Sequence, residues 1–140
     1  MTQDHRRPLW SGALTAPLAA HIAPERRDAV IVAIKSFHSA AFFSIFGLIL
    51  LFTWDGIRGR STRRTATAAA IALAETAVFV TNNQVCPLTP LVEELGAASG
   101  TVTDIFLPDP ISRRIPTFSG GILILGLVLQ ARLWRSRANE

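Results

Sequence analysis

The sequence predicts an all-α fold: a small polytopic bundle of transmembrane helices, with three spans, or four if the N-terminal segment also crosses. Three observations predict it. Apolar residues make up 49% of the 140 positions and charged residues only 17%, against roughly 25% charged in soluble domains. The apolar residues are gathered into blocks rather than spread at amphipathic spacing. The arginines lie in short clusters at the ends of those blocks, at Arg26 and Arg27, at Arg58, Arg60, Arg63 and Arg64, and at Arg132, Arg135 and Arg137. That is the distribution of membrane flanks meeting lipid headgroups. It is not a basic stripe interleaved with aromatic residues, so the formal charge of +4 does not indicate a nucleic-acid partner.

The length fits one domain, divided here into an N-terminal segment, residues 1–29, and a transmembrane domain, residues 30–140. Residues 30–54 carry one lysine and one histidine in a largely apolar run, enough to cross a hydrocarbon core of roughly 30 Å. Lys35 can snorkel to one headgroup layer, and Trp54 marks the other interface. Residues 66–85 are a second span, rich in alanine and interrupted by Glu75. The four-residue spacing of Ala66, Ala70 and Ala74 predicts a face for close helix packing. Residues 117–134 are a third, short span, with Gly120, Gly121 and Gly126 offering further close contacts and Trp134 at its end.

Residues 9–23 have a basic start and an apolar middle, but Asp4, Pro17 and His21 break a signal-peptide pattern. An interfacial helix is the expectation, with a short span as the alternative. Counting arginines near the spans puts seven on the side of residues 55–65 and the C-terminus and four on the other. Residues 55–65 and the C-terminus are therefore expected in the cytoplasm, and residues 86–116 outside it.

Within that outer loop, Pro87 ends the second helix. A short helix is expected over about residues 89–99, with Thr89 as N-cap, Pro90 at the first helical position, Glu93 and Glu94 in the first turn near the positive helix end, and Gly96 or Gly100 as the stop. Asn82 and Asn83 can satisfy helix-end carbonyls. Further on, Ile105, Phe106 and Leu107 can dip into the interface, and Pro108, Pro110 and Pro116 prevent a long helix there.

The polar residues of the spans carry the functional question. Glu75, Asn82 and Cys86, separated by seven and four positions, are expected on one helix face. A hydrogen bond from His38 to Glu75 or to Asn82 is compatible with their depths. One reading makes His38, Glu75 and Asn82 a cofactor or proton-relay site holding haem, a metal or a quinone, with Asn83 and Cys86 nearby. The other makes them interhelical hydrogen bonds that fix packing. A single membrane histidine and one acid are too few ligands for a closed structural metal site, and a bis-histidine haem needs a second chain or His21. Cys86, the sole cysteine, lies in no CxxC motif and has no histidine beside it in sequence, so a packing role is expected, and no catalytic residue is assigned.

His38 followed by FFSIFG, then CPLTPL with Glu93 and Glu94, then IFLP before a last span, resembles a family of small bacterial integral membrane proteins marked by Cys-Pro-Leu-Thr. The resemblance covers residues 34–134. The family's motif continues Leu-Glu and then an arginine-bearing helix, whereas here Val92 intervenes. The resemblance implies a bacterial cytoplasmic membrane location and a few-helix bundle, and it brings no activity. The expected function is a structural or partner-binding subunit of a membrane assembly, in contact with lipid and with other subunits or copies of itself. A cofactor site and an oligomeric small transporter are the alternatives.

Overall fold

The computed structural model describes residues 7–97 and 114–139. Among them 79% are helical and none is in a strand. The helices are α1 (Ser11–Ala20), α2 (Arg27–Ile57, preceded by a 3₁₀ turn at Pro24–Arg26), α3 (Arg63–Thr81), α4 (Thr89–Glu94) and α5 (Ile115–Ala138). The expectations for Gly100, for Ile105 to Leu107 and for Pro108 and Pro110 lie outside the described residues.

Among the described residues two helices are long and apolar enough to cross a membrane: the stretch Pro24–Ile57 containing α2, and α5. α3 does not join them. Its 19 residues begin with Arg63 and Arg64, contain Glu75, and are rich in alanine, which is only weakly apolar. α1 has ten residues, about 15 Å at 1.5 Å per residue, half of what a span requires.

The chain divides into two compact units. One holds α1, α4, α2 as far as Ala40 and α3 from Glu75 onward; the other holds α2 from Ala41, α3 as far as Ala74, and α5. In the second, Ile49 and Phe52 of α2, Ala68 and Ala72 of α3 and Leu123 of α5 form a buried apolar cluster. The buried face of α3 is thus Thr65, Ala68 and Ala72, and the predicted stripe of Ala66, Ala70 and Ala74 is exposed. Thr65 sets that rotation. Thr62 and Thr65 close a reciprocal capping box, the Thr65 N–H donating to Thr62 Oγ1 at 3.2 Å and the Thr62 N–H to Thr65 Oγ1 at 3.3 Å. Thr65 Oγ1 donates in turn to Asp55 Oδ2 at 2.6 Å, turning Ala68 and Ala72, three and seven positions on, toward the core.

The close contact of α5 is at Gly126 alone of the three glycines expected there. A Cβ at Gly126 would stand 2.7 Å from the Phe52 ring and from Thr53 Oγ1, whereas nothing lies within 4 Å of one at Gly120 or Gly121. Thr53 Oγ1 donates to the Ile122 carbonyl at 3.1 Å, a hydrogen bond that only such close approach of two backbones allows.

α4 starts one residue earlier than expected. Leu88 occupies the N-cap position without a side-chain hydrogen bond, and Thr89 is already helical. Its end follows the prediction. Gly96, at φ +103°, donates to the Glu93 carbonyl while Ala97 donates to Val92, the paired bonds of a Schellman stop that needs a left-handed residue. α2 ends the same way at Gly59.

Candidate functional site

α3 ends in a third Schellman stop, and the site follows from it. Its last helical residue is Thr81. Asn83 then takes φ +60° and donates to the Val80 carbonyl, and Gln84, also at φ +60°, donates to Phe79. Asparagine tolerates this conformation better than most side chains, but two consecutive non-glycine residues there are uncommon and carry strain. The chain therefore leaves the helix direction before Val85. Glu75, Asn82 and Cys86 do not share one helical face, because Cys86 lies past the end of the helix.

Asn82, fully buried, sits at the centre of the resulting corner. Its Oδ1 accepts the backbone N–H groups of Trp10 at 3.2 Å and Ser11 at 3.3 Å. Its Nδ2 donates to Ser11 Oγ and to the Val85 carbonyl, both at 2.8 Å. Trp10, at the N-cap position of α1, has no capping side chain of its own, so an amide more than seventy residues away acts as the cap. Both donors and both lone pairs of Asn82 are used, and none is left for His38 or a ligand. Asn83 is exposed and its Nδ2 donates to the Arg7 carbonyl at 3.1 Å. Ser11, Thr15 and Ala19, four residues apart, form the buried face of α1, and α1 packs on α4.

The turn carries Cys86 back to α2. Cys86 Sγ lies 3.3 Å from His38 Nδ1, so the partner of His38 is neither Glu75 nor Asn82. The expected bonds fail because Asn82 is saturated by α1 and because the turn delivers sulfur to the imidazole. The nearby backbone N–H groups of Leu88 and Thr89 favour the thiolate, but burial outweighs them and pushes the Cys86 thiol up, helped by the Glu75 carboxylate. The thiol is therefore neutral, and it shares one hydrogen with His38 Nδ1 in a direction that the imidazole tautomer sets. Glu75 itself is exposed on α3. His21 is engaged locally, its Nδ1–H donating to the Pro17 carbonyl at 2.7 Å. Among the described residues no three histidines, cysteines or acids gather closely enough to hold a metal ion.

The residues that reading the sequence missed are Ser11 and the trio Asp55, Thr62 and Thr65. Thr62 and Thr65 have capping-box spacing, a signal that could have been found. Ser11 has none, since its partner is 71 positions away.

Comparison with family models, with curated proteins and with solved structures gave no match.

Proposed function

We propose that the chain is a small integral membrane protein of the bacterial cytoplasmic membrane, acting as a structural or partner-binding subunit of a membrane assembly. One observation carries this reading: the long apolar helices are not a core. Only 28% of the apolar window of α2 and 17% of that of α5 is buried within the chain, and Phe37, Phe43, Leu50, Trp54, Phe118 and Ile124 are among the large exposed side chains. Such a surface needs lipid or protein around it. α3 favours protein as part of that cover, because its exposed Ala66, Ala70 and Ala74 present little apolar area to lipid and suit the close approach of another helix. In this reading α3 is the third span, held in the bilayer by its neighbours, α1 lies at the interface, and residues 55–65 and the C-terminus face the cytoplasm.

A crosslinking experiment in native membranes tests it. With Cys86→Ser as background, Ala70→Cys should crosslink to a second polypeptide or a second copy, and Ala70→Leu should weaken the assembly while leaving the chain folded. Lipid-only adducts at Ala66, Ala70 and Ala74 would sink the subunit reading.

The 3.3 Å contact of Cys86 and His38 favours one alternative, a cofactor site with an imidazole and a sulfur as its first ligands. That alternative predicts a visible absorbance band or stoichiometric metal in the purified protein, lost in His38→Ala. A colourless, metal-free sample counts against haem and tightly bound metal.

A further inference from the structure

Cys86 and His38 meet for a weak return. Both belong to the same compact unit and both are half-buried, with Sγ 3.3 Å from Nδ1. As a hydrogen bond this contact contributes little, because a thiol is a weak donor and its sulfur a weak acceptor. Asn82, four positions earlier, is the contrast: its amide makes four hydrogen bonds with oxygen and nitrogen partners. A ring nitrogen and a sulfur this close are, however, two good metal ligands facing the same point.

The ligand types narrow the ion. Thiolate sulfur selects copper(I), zinc and iron–sulfur clusters, whereas imidazole suits zinc, copper, iron and nickel. A chain with one cysteine cannot supply the several thiolates of a cluster, which leaves copper and zinc. Zinc takes at least three protein ligands, and among the described residues no third histidine, cysteine or acid joins the pair. Copper(I), a soft closed-shell ion, is satisfied by two. We infer that Cys86 and His38 form a two-ligand copper(I) site, bound through Sγ and Nδ1. Binding exchanges one ion for one proton without electron transfer: the S–H bond breaks, a copper–sulfur bond forms and the proton leaves to solvent. Nδ1 contributes its lone pair while Nε2 keeps its hydrogen. The Glu75 carboxylate opposes a bare thiolate, and the same charge favours a cation in place of the proton. With metal–sulfur and metal–nitrogen lengths of roughly 2.3 and 2.0 Å, those of zinc, the two ligands must part by about 1 Å to hold the ion in line between them. Cys86 lies past the end of α3, so rotation of its side chain provides that space without moving a helix. The site narrows the cofactor alternative to one ion, and it depends neither on the subunit reading nor on placement in a membrane.

The experiment titrates the full chain, purified in mild detergent and kept reduced without oxygen, with copper(I) against the coloured chelator bicinchoninate, and in parallel with zinc(II). One copper(I) per chain should be withdrawn from the chelator, and zinc(II) should not be retained. Cys86→Ala should abolish the withdrawal. His38→Gln should weaken it by more than the roughly 10–100-fold that loss of an outer-shell partner costs at metal sites, and His21→Gln should leave it unchanged. X-ray absorption on the copper-loaded parent should show one sulfur and one nitrogen around the ion, a readout that does not depend on any variant folding. No withdrawal of copper(I) by the parent, equal retention of zinc(II), or undiminished binding in Cys86→Ala would overturn the inference. A shell of two sulfurs would overturn it as well, since the metal would then bridge two chains. Crosslinking at Ala70 reports on the subunit reading alone, so either proposal can fail without the other.

Discussion

The corner after α3 and the contact of α2 with α5 hold the chain by opposite means. At the corner the central residue is a polar amide, buried and fully bonded, joining segments more than seventy residues apart. At the α2–α5 contact the central residue is Gly126, which contributes no side chain and lets the Phe52 ring and Thr53 Oγ1 come within a distance no Cβ would tolerate. The first is specific because each donor has one acceptor; the second is specific because only one shape fits. In the membrane setting proposed above, where apolar burial between helices gives little driving force against lipid, these two devices would do what a large hydrophobic core does elsewhere.

Breaking the corner should have the largest effect. Asn82→Ala leaves the first N–H groups of α1 and the Val85 carbonyl without partners, and should lower unfolding stability by roughly 2–4 kcal/mol, combining a lost cap with buried unsatisfied groups. Limited proteolysis should then cut first near residues 9–23. If Asn82→Ala unfolds like the parent, the cap is not what holds α1. At the contact, Gly126→Val should cost about 1–3 kcal/mol by overpacking, while Gly120→Ala, on the same helix with open space around it, should change stability by less than about 0.5 kcal/mol. Equal effects at the two glycines in a denaturation series would contradict the close approach.

A third substitution separates hydrogen bonding from shape within one residue. Thr65→Val keeps the volume but loses the capping box and the bond to Asp55, and should cost about 1–2 kcal/mol. An unchanged midpoint would mean that packing of Ala68 and Ala72 alone sets the rotation of α3.

The smallest effect is a pH dependence at the corner. Because the folded thiol of Cys86 is raised above its ordinary value of 9.0, the folded state keeps a proton that the unfolded state releases. Stability should therefore be flat below that value and fall as pH rises through it. Unfolding measured between pH 7 and pH 10.5 should show this slope in the parent and a shallower one in Cys86→Ala. A slope of the opposite sign would place a thiolate in the folded state.

Much of the helical framework is legible in the sequence because its signals are local. The apolar block of residues 30–54, the glycine at position 96 and the threonines at 62 and 65 each act within a few residues of themselves. α3 is only half legible: its length reads as a span, and its alanine, arginine and Glu75 content keeps it short of one, so its place depends on neighbours that no local pattern reveals. The site is less legible still. The spacing of Glu75, Asn82 and Cys86 assumes an unbroken helix, and two left-handed residues, Asn83 and Gln84, break it. Asparagine at a helix end hints at such a stop. Glutamine beside it does not, and the partnership of Asn82 with Ser11 leaves no trace in either neighbourhood.

That partnership also fixes an order of events during synthesis. The chain emerges N-terminus first, so Ser11 leaves the ribosome 71 residues ahead of Asn82, a lag of roughly 4–14 seconds at translation rates of about 5–20 residues per second. A ten-residue helix is marginal on its own. α1 must therefore spend those seconds with its leading amides bonded to water or held at the headgroup layer, and it completes its first turn only when the end of α3 has arrived.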